Sequence, residues 1–436
     1  MAHRSRLTTA ILVILAGFYL TACQVINPTL PTPTASPTLR LNPTSTPAPT
    51  PTVTRVAGTL SIWHAWDVQK RPALLKAIHD FQALYPDVVF DVQFVPEIDL
   101  KGAFEAASID GNPPDIVIAD GQWGREWFDR GWVADLTGMV AERLIGSLNQ
   151  AGVAAAQVGN SKVGLPISLE GVVLYRNPNL ILASAETMDE MIAFSRQVTQ
   201  GDVFGAYLER SFFFSGGHLY GMGGRLMDAQ GLPAFNDERG LAWIELLRSF
   251  ERFGLVDFYS DNDIQYFTAK RAGYIIESTR RRNQLVEALG SGSVAIDPFP
   301  LLDQGSLSGF VQAENVYLSP AALADGQAAA LFIETLLSPQ SQAYLGETGS
   351  IPALKASAAY APGSQFSIKD ELVKQAMAAL EAGYAYPPQS LMTIYSPQMD
   401  IALQSIFVDG TPPDQALSIA EAAILEALQV EQGLHR

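Results

Sequence analysis

Asp115-Ile116-Val117-Ile118-Ala119 follows the turn Asp110-Gly111-Asn112-Pro113-Pro114 and reads as a buried strand. Working back from it, Phe90, Val92 and Phe94 alternate on an earlier strand, and a short helix from Leu100 to Ile109 joins the two. Leu60 and Ile62 alternate on a first strand that ends at Trp63. Pro72 then suits the first turn of a helix, whose Leu74, Leu75, Ile78 and Phe81 make one apolar face up to Tyr85-Pro86. A strand-helix-strand-helix-strand order calls for a parallel sheet covered on both faces, so the fold class is α/β. Ligands of such sheets sit at the carboxyl ends of the strands, which here are the loops after Trp63, after Val95 and after Ala119.

Later segments keep that character. Gly164-Leu165-Pro166-Ile167 leads through Glu170 into the strand Val172-Val173-Leu174-Tyr175. Thr187-Met188-Asp189-Glu190 has capping-box spacing ahead of a helix with Met191, Phe194 and Val198. Another helix runs from Gly240 through Trp243, Leu246, Leu247 and Phe250. Ala272 to Ile276 reads as a buried strand, and Ala328 to Leu337 and Leu372 to Ala382 as helices. No repeat with a period of 20 to 50 residues is present, which argues against a solenoid or propeller.

The N-terminus has a different composition. His3, Arg4 and Arg6 precede an apolar stretch from Leu7 to Leu20, a secretory signal too short for a comfortable membrane span. Leu20-Thr21-Ala22-Cys23 resembles the bacterial lipobox, which implies cleavage of residues 1–22 and acylation of Cys23, the single cysteine. Residues 23–55 are dominated by Pro and Thr, which favour an extended, solvated tether rather than a core. Removing 1–22 takes away Arg4 and Arg6 and no acid, so the formal charge of −17 becomes −19. Such an acidic body excludes nucleic acid and anionic lipid as partners that need a basic face. With no second cysteine there is no internal disulfide, and stability rests on the core of a body of about 380 residues, enough for two domains.

Several stretches together resemble one family. They are Ser61-Ile62-Trp63-His64-Ala65-Trp66, Ala106 through Ile116, Trp127-Phe128-Asp129-Arg130-Gly131-Trp132-Val133-Ala134-Asp135-Leu136, and Gly164-Leu165-Pro166 through Tyr175-Arg176-Asn177. Ser215-Gly216-Gly217, Ala272-Gly273-Tyr274-Ile275-Ile276, Ala330-Leu331-Phe332-Ile333-Glu334 and Gly349-Ser350-Ile351-Pro352 continue the series. Their order and spacing resemble the extracellular solute-binding proteins of sugar ABC transporters, the group that includes maltodextrin-binding protein. The resemblance implies a two-lobed periplasmic-binding-protein-like fold with discontinuous lobes, 56–167 plus 301–348 and 168–300 plus 349–436. It also implies hinges near Ser168, Phe299-Pro300 and Gly349. A lipid-anchored receptor of this kind captures a carbohydrate between its lobes, as a monomer, and delivers it to membrane permease subunits. The permease, not this chain, works with ATP, and no cofactor is implied.

Sugars present an apolar C–H face and a rim of hydroxyls, so their sites need aromatic plates together with acids, amides and guanidinium groups. Trp66 and Asp67 follow the first strand, with Trp63 expected to finish that strand inside the core. Asp120, Gln122 and Trp123 follow the third strand, and Glu170 falls at the family's interlobe carboxylate. In the other lobe the resemblance points to Phe213, Phe214, Tyr220, Glu277, Arg280 and Tyr395. Arg280, Arg281 and Arg282 open an alternative, an acidic sugar or sugar phosphate, because guanidinium groups pair with such anions. The motifs of zinc peptidases and serine hydrolases are missing, and the histidines are scattered. A carboxylate-pair glycosidase built from Asp67, Asp120, Glu170 and Glu277 is a further alternative, as is a surface scaffold with a filled cleft. Gly216-Gly217 and Gly221-Met222-Gly223-Gly224 lack the spacing of a phosphate-binding loop and read as turns.

Overall fold

The computed structural model describes residues 55–323 and 326–434. The expected signal, Cys23 and nearly all of the expected tether lie outside the described residues.

The strand-helix repeat forms as its periodicity predicts. β1 (Gly58–His64) pairs in parallel with β2 (Val88–Phe94) and with β3 (Ile116–Asp120). Between them run α1 (Arg71–Leu84), with proline in its first turn, and α2 (Glu97–Ile109), with Glu97 and Asp99 at its positive end. α1 buries Leu74, Ile78 and Phe81, but Leu75 is exposed, because a neighbour in sequence turns about 100° away around a helix. β3 is buried along Ile116–Ala119, as a central strand covered on both faces has to be.

Two long strands then carry the sheet from one half of the molecule to the other. The crossing strand Leu165–Arg176 extends well beyond the stretch 172–175, since Pro166 and Gly171 interrupt the apolar pattern without breaking the strand. Gly171 is needed there: a Cβ would lie 2.6 Å from both the Phe310 carbonyl oxygen and Leu380 Cδ2. The return strand Phe310–Leu318 runs antiparallel to it, with a register shift between Glu314 and Asn315, and antiparallel to β3 on its other side. Beyond the crossing strand, Ala272–Ser278 pairs antiparallel to it, followed by the parallel strands Phe204–Glu209 and Gly254–Asp257. The result is a single mixed sheet, parallel at each end and antiparallel in the middle.

Helices cover both faces. In the first half, Phe104, Trp127 and Tyr317 pack on one face, and Leu74, Phe81 and Phe332 on the other. In the second half, Phe212, Trp243, Phe250, Met399 and Leu403 build a separate core. Leu307 and Phe310 belong to that second core, and the Leu301 N–H donates to the Glu186 carbonyl at 2.9 Å. The chain therefore returns to the first half along the return strand rather than at 301. The segment 349–436 also divides: Ile351 to Leu380 packs with Leu165 and Ile167, whereas the helices Gln389–Phe407 and Pro413–Leu434 close the second core.

Candidate functional site

The carboxyl ends of β1 and β3, the middle of the crossing and return strands, and the turn after Ala272–Ser278 converge on a cleft. One chamber, of about 390 Å³, is walled by Trp66, Lys70, Asp120, Glu170, Arg280 and Glu314. A neighbouring chamber of about 870 Å³ shares Asp120, Arg280 and Gln312 with it and extends along Phe213, Tyr259 and Glu277.

In the first half, the backbone N–H of Trp66 donates to His64 Nδ1 at 3.0 Å, which turns the chain sharply at the end of β1. Burial holds the His64 imidazole below its ordinary pKa, so at neutral pH it is uncharged and free to accept this bond. Trp66 is only 3% exposed, and its indole N–H donates to Glu314 Oε1 at 2.7 Å. Lys70 Nζ lies 4.7 Å from the centre of the Trp66 ring, donates to Ser168 Oγ at 2.9 Å, and pairs with Glu314. Trp66 is thus a fixed wall with a lysine against its face rather than an open plate. Asp67 is exposed at the rim and closes the turn that leads into α1, its Oδ1 accepting from the N–H groups of Gln69 and Lys70 at 2.9 Å each. Trp63 packs into the first-half core beside Phe104 and Trp127.

Asp120 caps the short turn Gly121–Trp123, its Oδ1 accepting from the Gln122 N–H at 2.9 Å. Burial pushes its carboxyl up, against the pull of Arg280. Gln122 Nε2 is buried without a hydrogen-bond partner, and Trp123 is half-buried against Trp127, ring centres 5.5 Å apart. Glu170 projects from the crossing strand and forms an ion pair with Arg280 of the second half.

Phe213 and Phe214, at the start of the helix Phe212–Gly221, reach the second chamber. Tyr220 does not. It lies two turns farther along the helix, about 10 Å by the helical rise, and packs on Phe310 and Tyr384 instead. Tyr395 is fully buried in the second core, its hydroxyl donating to the Gly231 carbonyl at 2.8 Å, so it is a packing residue and not part of the cleft. Glu277 is 4% exposed, and burial, opposed by its hydrogen bond to Ser278 and by Arg281, pushes it up to about 7.

Sequence reasoning missed Lys70, Ser168, Glu209, Gln312 and Glu314, all of which line the cleft. The signal for two of them was present: Gln312 and Glu314 alternate with Val311 and Ala313, a period of two that marks a half-buried strand. Nothing in the local sequence distinguishes Lys70 from an ordinary surface lysine.

Residues 76–375 match the model of a family described as bacterial extracellular solute-binding protein. The chain belongs to that family. Its members act outside the cytoplasm, and the two-lobed mixed α/β fold agrees. A cyclic α-maltosyl-1,6-maltose binding protein from Arthrobacter globiformis is 19% identical, with a TM-score of 0.71 over 84% of this chain and 98% of that one. An extracellular solute-binding protein from Staphylococcus aureus, solved in complex with maltose, is 18% identical, with a TM-score of 0.73 over 85% of this chain and 98% of that one. A maltose-binding periplasmic protein from Listeria monocytogenes, also in complex with maltose, is 16% identical, with a TM-score of 0.70 over 85% and 98%. No curated protein sequence matches the chain.

Proposed function

We propose that this protein is the substrate-binding subunit of an ABC importer, a monomer tethered to the outer face of the cell membrane through acylated Cys23. It captures a carbohydrate in the cleft and hands it to permease subunits. The observation that carries this reading is the wall formed by Trp66, Trp123, Asp120, Glu170 and Arg280, drawn from both halves of a sheet joined by the crossing and return strands. The half-buried Trp123 ring beside acids and a guanidinium suits the C–H face and hydroxyls of a sugar, with Trp66 a fixed part of the wall. The structural neighbours from Staphylococcus aureus and Listeria monocytogenes were both solved with maltose, which supports the same ligand class. The pairing of Arg280 with Glu170 counts against the alternative of an acidic sugar, since the guanidinium is already engaged.

The architecture is compatible with closure around the ligand. Rotation of one half against the other is absorbed near Ser168, the register shift at Glu314/Asn315, and Gly349, whose φ of 84° is a conformation glycine adopts without strain. A thermal-shift screen of mono- and oligosaccharides against residues 55–436 tests the assignment. A saccharide near 100 times its Kd should stabilise the protein by about 2.7 kcal/mol, and the absence of a shift with every saccharide tried would overturn it. For the anchor, Cys23→Ser should abolish incorporation of a fatty-acid analogue, and equal labelling of both forms rules the anchor out.

A further inference from the structure

The cations at the cleft are all engaged. Lys70 pairs with Glu314, Arg280 with Glu170, and Arg281 with Asp261 at 2.7 Å. The acids are not. Among the described residues, Glu97, Asp120 and Glu209 have no cationic side chain within ion-pair distance, and Glu277 has only Arg281, at 3.9 Å.

Glu209 is the most telling of these. It stands at the end of the strand Phe204–Glu209, lines the second chamber and is 2% exposed. Its Oε2 accepts from Ser211 Oγ at 2.7 Å and from the Tyr259 N–H at 3.0 Å, but Oε1 has no partner. Tyr259 itself sits at a φ of 46°, a left-handed conformation that is uncommon for a bulky residue. Burying carboxylates without a counter-charge is costly. Burial accordingly pushes Asp120 and Glu209 up as well as Glu277. Phe213, Phe214 and Tyr259 line the same chamber, and their ring faces attract a cation.

We propose that the solute is cationic: an amine-bearing saccharide whose ammonium group lies in the second chamber against Glu209, Glu277 and Asp120, beside Phe213 and Tyr259. This inference rests on the carbohydrate-receptor reading and names its substrate class. An ammonium carries three donors and no acceptor, which matches carboxylates that are only partly satisfied: Asp120 and Glu277 each accept one backbone N–H, and Glu209 Oε1 accepts nothing. A neutral hydroxyl supplies one donor and no charge, and an anionic group meets uncompensated acids.

Calorimetry on residues 55–436 with glucosamine oligosaccharides and aminoalkyl maltosides, each against its N-acetylated counterpart and against maltose, tests the proposal. The amine forms should bind at least about tenfold tighter, as expected when a charge-assisted hydrogen bond replaces a neutral one. That preference should shrink as salt is raised. In Glu209→Gln and in Asp120→Asn it should fall about tenfold, and the isosteric amides preserve shape, which a melting curve verifies. Equal or tighter binding of the neutral sugars, or a preference that survives both substitutions, overturns the cationic assignment while leaving the carbohydrate receptor intact. Failure of every saccharide to bind overturns both readings.

Discussion

Three consecutive arginines after the strand Ala272–Ser278 have three different fates, which shows how sharply position decides role. Arg280 faces the cleft and pairs with Glu170, Arg281 reaches Asp261, and Arg282 is buried. Arg282 pairs with Asp370 and donates to Asn283 Oδ1 at 2.8 Å and to the Gly349 carbonyl at 3.4 Å, so it ties the second half to a hinge segment. Arg280→Ala should therefore weaken saccharide binding about tenfold, equivalent to about 1.4 kcal/mol, with little change in urea midpoint. Arg282→Ala should cost about 1.5–3 kcal/mol of stability, as expected on losing the charged hydrogen bonds of a buried guanidinium to a half-buried carboxylate, and unchanged urea midpoints would show that the pair contributes nothing. The two tryptophans separate in the same way. Trp66→Ala removes a buried ring anchored by Glu314 and should lower stability by about 3–5 kcal/mol, whereas Trp123→Ala should act mainly on affinity. Chemical denaturation and calorimetry on both variants check this, and equal stability losses would show that Trp123 is a core residue too. From the sequence alone both follow strand ends and look alike; burial tells them apart.

At the scale of elements, local signals served well where local physics decides. The spacing Thr187 to Glu190 predicts a capping box, and the Thr187 side chain indeed accepts from the Glu190 N–H while the Glu190 carboxylate accepts from the Thr187 N–H. Thr187→Ala should cost about 1 kcal/mol, measured as a lower urea midpoint, while Thr187→Ser should retain most of it. Loss in neither variant would show that the helix Met188–Val198 is held by packing alone. The helix Gln389–Phe407 shows the opposite case. Its Tyr395 carries an aromatic ring and a hydroxyl suited to a sugar, but only the packing of the helix determines that this face turns inward while Gln389, Ser390 and Thr393 face a neighbouring cavity. The return strand Phe310–Leu318 went unread because Gln312, Glu314 and Asn315 dilute its apolar content, although the alternation of Gln312 and Glu314 with Val311 and Ala313 was there to be counted.

Over the whole molecule, buried acids link stability to pH. Burial pushes Asp263 up to about 8 and Glu277 up to about 7, helped at Asp263 by the Glu277 charge and at Glu277 by Glu209 and Asp261. In the unfolded chain both return to the ordinary carboxylate range near pH 4. Between about pH 4 and these values the folded protein holds protons that the unfolded chain has released, so stability falls as pH rises through this window and levels off above it. The melting temperature should be higher at pH 5 than at pH 8, and Asp263→Asn should narrow the gap by stabilising the protein more at pH 8. A gap of unchanged size in the variant would remove Asp263 from the account. The sequence by itself determined what local periodicity and order encode: the β1-α1-β2-α2-β3 unit, the strand ends that carry Trp66 and Asp120, and the succession of motifs that marks the family. It could not determine the cleft's composition, because that depends on contacts such as the one between Trp66 and Glu314, 248 residues apart in the chain. Only tertiary packing places the return strand beside the crossing strand, and with it decides which carboxylates find a cation and which do not.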